Sequence, residues 1–77
     1  MEVDILLEDT ASNVVGIEVK GSSDVKSGDF RGLRNLSESL GDRFVRGIVL
    51  YTGEHVLGFG EKLSTVPVKS SFKIQAI

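Results

Sequence analysis

Two short segments of strictly alternating hydrophobicity, joined by a polar turn, constrain this chain more than any other feature. In residues 2–8, Val3, Ile5 and Leu7 share one parity against Glu2, Asp4, Leu6 and Glu8. In residues 14–20, Val15, Ile17 and Val19 alternate with Gly16, Glu18 and Lys20. A period of two is the mark of a strand. Between the segments, Asp9-Thr10-Ala11-Ser12-Asn13 carries turn residues, so the pair reads as a β-hairpin with a loop of five residues. If Glu8 faces Val14, opposed residue numbers sum to 22, and Val3 faces Val19, Ile5 faces Ile17 and Leu7 faces Val15. One face is then unbroken in its apolarity, and the other carries Asp4 opposite Glu18 and Glu2 opposite Lys20. A slip of one residue would oppose apolar to polar side chains along the whole ladder, so only even sums survive. Sums of 20 and 24 stay open, and under either of them Asp4, Glu18 and Lys20 keep to one face.

After a loop at residues 21–24 the pattern changes to that of a helix. Phe30, Leu33, Leu36 and Leu40 are spaced by three, three and four, one stripe of an amphipathic helix. Ser27 is the expected N-cap, Asp29 complements the positive end of the helix dipole, and Gly41 is the expected stop. Arg31, Arg34, Asn35 and Glu38 fall on the other side. Residues 44–51 are rich in β-branched residues and continuous rather than alternating, as in a strand buried on both faces. Strand, helix and strand in this order form a βαβ crossover, which is right-handed by rule. A short strand is expected at residues 55–59. A last one at 64–68 contains Pro67 and is expected at a sheet edge. Residues 69–77 are weakly patterned. The whole is one small domain, 1–77, with its core at about 2–68.

Composition narrows the function. The chain has no Cys, which excludes a disulfide framework or thiolate zinc site and fits a reducing, cytoplasmic setting. No apolar run approaches the roughly 20 residues that span a bilayer, and Met1-Glu2-Val3-Asp4 lacks the basic start of a signal peptide, so no membrane association is expected. A net charge of −2 opposes a general nucleic-acid coat, and one Tyr and four Phe with no Trp oppose a base-stacking platform. A small local basic face remains open, and Arg31 and Arg34 are its candidate phosphate contacts.

The hairpin's charges carry the chemistry. Asp4 and Glu18 are like charges on facing strands, which is destabilising unless solvent or a cation intervenes. Two carboxylates with an open position suit Mg²⁺, with Mn²⁺ as its substitute. Lys20 emerges on the same face about 7 Å beyond Glu18, where a lysine can orient or deprotonate a water or neutralise a phosphate oxygen. The alternative from the residues alone is a set of solvated strand charges with a Glu2–Lys20 cross-strand pair.

Asp4, thirteen residues, then Glu18-Val19-Lys20 resembles the D-x(n)-E-x-K signature of the PD-(D/E)xK nuclease superfamily. A wider string carries the likeness further. Glu2-Val3-Asp4-Ile5-Leu6-Leu7, Gly16-Ile17-Glu18-Val19-Lys20, Asp29-Phe30-Arg31-Gly32-Leu33 and Val49-Leu50-Tyr51-Thr52-Gly53 look like a bacterial and archaeal domain of unknown function. That domain usually forms the C-terminal part of AAA-type ATPases. The resemblance covers residues 2–68 and implies an α/β, restriction-endonuclease-like core. In it Asp4 and Glu18 would hold the metal, the Val19 carbonyl would assist, and Lys20 would be catalytic. The superfamily core normally begins with a helix and a strand ahead of the Asp-bearing strand. This chain starts at that strand, and a truncated core with an incomplete metal site is therefore expected. No G-x-x-x-x-G-K-[ST] run is present, so the ATPase module is expected to be absent from this chain. Any turnover would be Mg²⁺-dependent phosphodiester hydrolysis. The competing expectation is a binding or assembly module that recruits a partner through its sheet. A sheet with one helix for two faces, and an open edge, also predicts a homodimer.

Overall fold

The computed structural model describes residues 3–71. The chain runs through β1 (Ile5–Glu8), β2 (Val14–Val19), a 3₁₀ turn (Ser27–Phe30) that leads straight into α1 (Arg31–Leu40), and a second 3₁₀ turn (Gly41–Arg43). It continues through β3 (Phe44–Tyr51), β4 (Gly58–Gly60), β5 (Leu63–Pro67) and the single turn α2 (Val68–Ser71). Among the described residues the strands form one mixed sheet in the order β1-β2-β3-β5-β4. β2, β3 and β5 are parallel, and β1 and β4 close the two edges antiparallel. The fold is a small α/β sheet with one long helix.

The hairpin takes the register in which paired numbers sum to 22, with Ile5 opposite Ile17 and Leu7 opposite Val15. Its loop is held by Asp9. One carboxylate oxygen accepts the Ala11 and Asn13 N–H groups, each at 2.9 Å, and the other accepts from the Asn13 side-chain amide. These donors, the Asn13 backbone foremost, keep the Asp9 carboxyl below its ordinary range. Ser12 takes a positive φ of 68° to close the turn.

The helix does not cover the face that alternation marks as apolar. It lies over the opposite one. A Cβ built on Gly16 would stand 2.8 Å from Leu33 Cδ2 and 3.0 Å from Leu36 Cδ2; one on Gly47 would stand 2.9 Å from Phe44 Cζ and 3.3 Å from Leu33 Cβ. Two glycines on adjacent strands, themselves paired, open a trough into which the helix settles. Val14, Phe30, Leu33, Leu36, Phe44, Val49 and Leu63 form the core on this side. The strong Val3/Ile5/Leu7 pattern also breaks at its first member. The chain bends at Asp4, and Val3 packs against the helix-side core instead of facing Val19. Ile5 and Leu7 are left 42% and 54% exposed, and Val19 54%.

Other expectations shift modestly. Lys26, not Ser27, precedes the first helical turn, because the Asp29 carboxylate accepts the Lys26 N–H at 2.7 Å. Gly41 ends α1 with φ 57°. The strand expected at 55–59 is displaced to Gly58–Gly60, and Phe59 stacks on Phe30 at 4.7 Å. The strand with Pro67 lies between β3 and β4, not at the edge. β4 pairs only with Leu63 and Ser64, so Pro67 sits beyond its reach and its missing N–H costs that ladder nothing. Val68, expected in the last strand, and residues 69–71 of the expected tail form the turn α2, and 72–77 lie outside the described residues.

Candidate functional site at the carboxyl end of β2

β2 ends where the chain turns toward the helix, and its last residues line a cleft of about 600 Å³. Glu18, Val19 and Lys20 form one wall, Gly28, Asp29, Arg31, Gly32 and Asn35 the other, and Val49 lies between them. The position follows from the topology. In a parallel β–α–β unit the first strand delivers its carboxyl end to the start of the helix, where loops leave an opening. Glu18 pairs across the sheet with Val49, which is fully buried, so the acid stands on the helix-covered face at the limit of the core.

Lys20 is held from the helix side. Its Nζ donates to Asp29 Oδ2 at 2.5 Å, and the same oxygen accepts the Lys26 N–H. The two side chains are 28% and 30% exposed, so the pair is partly shielded from water. The Lys20 ammonium first, and the Lys26 N–H second, hold the Asp29 carboxyl below the usual carboxylate range. One carboxylate thus ties the end of β2 to the first turn of the helix.

Asp4 is placed elsewhere. The Lys20 N–H donates to the Leu50 carbonyl, which fixes the alternation of β2 and sends the Val19 backbone toward β1. There the Val19 N–H donates to Asp4 Oδ2 at 2.8 Å. The carboxylate takes the role that the Val3 carbonyl would have had in a longer ladder, which is why Val3 leaves the register. Asp4 is exposed and is not part of the cleft wall. Of the two arginines, Arg31 reaches the cleft, whereas Arg34 does structural work. Its guanidinium donates to the Ser27 carbonyl at 2.7 Å, to Ser27 Oγ at 3.0 Å and to the Phe59 carbonyl at 3.4 Å, and it lies 5.9 Å from the Phe30 ring centre.

The fit to a divalent cation can be judged from these donors. Glu18 borders the cleft, Asp4 is bound to a backbone N–H, and Asp29 is bound to Lys20 and Lys26. Among the described residues no three acidic, histidine or cysteine side chains converge on one point. Mg²⁺ is held through one or two carboxylates and keeps several waters; of the two carboxylates expected to hold it, Glu18 lines the cleft and Asp4 does not. What the cleft does present is a balanced group of two acids and two bases, Glu18 and Asp29 with Lys20 and Arg31. Asp29, which the sequence marks as a complement to the helix dipole, is the residue whose role as the partner of Lys20 sequence reasoning missed. Its sequence signal is its place three residues after Lys26, the position from which a side chain reaches back to the residue before the helix.

Among the described residues no helix is long and apolar enough to cross a membrane. No curated protein and no solved structure gives a significant match to the chain. A family model does match, over residues 1–71, and it is described as a domain of unknown function. With nearly the whole chain inside that match, and its hairpin, crossover helix and central strand all within it, the protein belongs to the domain-of-unknown-function family DUF4143.

Proposed function

We propose that this chain is a nuclease-like domain of the PD-(D/E)xK kind, of the type that forms the C-terminal part of AAA-type ATPases, and that its metal-dependent phosphodiesterase site is incomplete. The Glu18-x-Lys20 pair beside a helix start, at the carboxyl end of a central strand, supports the likeness. The single observation that carries the second half is the partnering of the charges. Lys20 is committed to Asp29, and Asp4 to the Val19 N–H. An ammonium has no lone pair with which to take a proton, and paired with Asp29 it is held toward the helix; Asp4, tethered through Oδ2 to the Val19 N–H, stands outside the cleft wall that Glu18 lines.

The test combines metal titration with a cleavage assay. Calorimetric titration with Mn²⁺ and Mg²⁺ is expected to show weak binding that disappears in both Asp4→Ala and Glu18→Ala. Hydrolysis of DNA or RNA is expected to be weak or absent. Robust metal-dependent cleavage that Lys20→Ala abolishes would overturn the incomplete-site reading. Absence of any metal binding would favour a second reading, an assembly module that recruits a partner through its sheet. The observation behind that second reading is the exposure of Ile5, Leu7 and Val19.

A further inference from the structure

We propose that the Asp29 carboxylate is a competitor built into the cleft: it holds the Lys20 ammonium in place of an oxyanion of the ligand, and a phosphate ester binds by displacing it. The inference deepens the nuclease-like reading above and rests on it for the class of ligand. Two separate duties meet at Asp29. Its Oδ2 accepts the Lys26 N–H at 2.7 Å and also the Lys20 ammonium. The first bond fixes the helix start, and a neutral amide oxygen would make it as well. What the negative charge adds is the hold on Lys20. That pair lies on the wall of the cleft and not in the core, with side chains 28% and 30% exposed. A ligand entering the cleft therefore meets the ammonium from its open side.

A second cation favours the exchange. Arg31 lines the same cleft, two residues after Asp29, and among the described residues its guanidinium has no partner. Asn35, one helical turn further on, brings a side-chain amide to the same wall. Gly28 and Gly32 complete that wall, and a Cβ on Gly28 would meet nothing within 4 Å, so there is room for a bulky anion. The carboxylate offers Lys20 one oxygen that is already shared with a backbone N–H. A phosphate offers several acceptor oxygens, enough for the Lys20 ammonium and the planar fork of Arg31 together. The pair that must open is partly exposed, so its loss is small against two charge-assisted bonds. Asp29 keeps the Lys26 N–H throughout, and the helix start holds while Lys20 changes partner. The exchange needs no metal ion.

Inorganic phosphate is the first probe, titrated at neutral pH into the 77-residue chain in buffer cleared of divalent ions, with KCl at equal ionic strength as the control for screening. In the wild type, phosphate is expected to shift the NMR resonances of the Asp29 carboxyl carbon and the Lys20 Nζ, and KCl is expected to leave them in place. Asp29→Asn keeps an oxygen for the Lys26 N–H. It is expected to bind phosphate about two- to fivefold more tightly, the worth of the released pair. In a Lys20→Met background the same substitution is expected to lose that gain. Asp29→Asn binding no tighter than wild type, or a gain that persists without the ammonium, would overturn the competitor role. So would a wild-type titration to about 20 mM that moves neither resonance, or KCl moving both as far, with no variant needed. Metal binding lost in Asp4→Ala and Glu18→Ala, with no exchange at Asp29, removes only the competitor; exchange without metal binding removes only the nuclease-like reading. Thymidylyl-thymidine, a minimal phosphodiester, is titrated in parallel. Displacement of Asp29 by it assigns the cleft to a nucleic-acid backbone, and displacement by inorganic phosphate alone assigns it to a free or terminal phosphate; both uphold the exchange.

Discussion

Replacing Asp29 with Ala removes two bonds that meet at one carboxylate oxygen, and the size of the effect can be worked from each. The bond from the Lys26 N–H is a cap of the first helical turn, and losing such a cap costs about 1 kcal/mol. The Lys20 pair is charge-assisted but nearly a third exposed, and screening leaves it worth about 0.5–1 kcal/mol. Together they predict a loss of roughly 1.5–2 kcal/mol, or a fall in Tm of about 6–16 °C for a domain of this size. Because self-association would add a concentration-dependent term, melts and urea titrations are compared at one protein concentration. The sign of the pH dependence follows from the carboxyl. Folding holds it below its ordinary 3.8, so the unfolded chain binds the proton more readily. The stabilisation is present above about pH 4 and is lost as pH falls through the lowered folded value. The gap between wild type and Asp29→Ala should therefore be constant from pH 7 to about 5 and narrow below about 4. A double-mutant cycle with Lys20→Met should return a coupling of about 0.5–1 kcal/mol. A Tm for Asp29→Ala indistinguishable from wild type at pH 7, or a gap that does not narrow in acid, would refute the reasoning.

Other perturbations probe the frame around the cleft. Gly47→Ala forces a Cβ against Phe44, Leu63 and the stem of Leu33, and should cost about 1–3 kcal/mol in urea denaturation. Gly58→Ala meets nothing within 4 Å, and should change stability by no more than about 0.5 kcal/mol. Thr65→Val deletes a fully buried hydroxyl that accepts the Leu57 N–H at 2.8 Å and donates to the His55 carbonyl at 3.0 Å. It should cost about 1–3 kcal/mol and speed exchange of the Leu57 amide. Arg34→Met severs the tie between the helix start and Phe59. About 1 kcal/mol should be lost, while the NMR shifts of Lys20 and Asp29 stay in place.

The strands and their local registers were legible because they are set by short-range chemistry. Period-two alternation in residues 3–8 and 14–19, with a five-residue turn between, leaves few pairings that keep like with like, and the observed Ile5–Ile17 rung is one of them. The Phe30/Leu33/Leu36 stripe and the stop at Gly41 were equally plain. Alternation says only that a strand has two unlike faces; it does not say which one a distant helix will cover. That choice was made by Gly16 and Gly47, whose missing side chains let α1 approach the face carrying Glu18. A glycine in a strand weakens it locally, so its value is visible only once the neighbouring strand and the helix are in place. The same limit governs the site. Glu18 and Lys20 stood out by spacing, but the partner of Lys20 is nine residues away and belongs to the helix start that the crossover carries back to β2. Asp4, opposite Glu18 by parity, turned instead to the Val19 N–H, because an edge strand that ends early leaves a backbone donor for the nearest carboxylate to fill. Pairings along the chain are decided by sequence, whereas the faces, the helix approach and the partners of the charges are decided by which surfaces the tertiary fold brings close enough to exclude water.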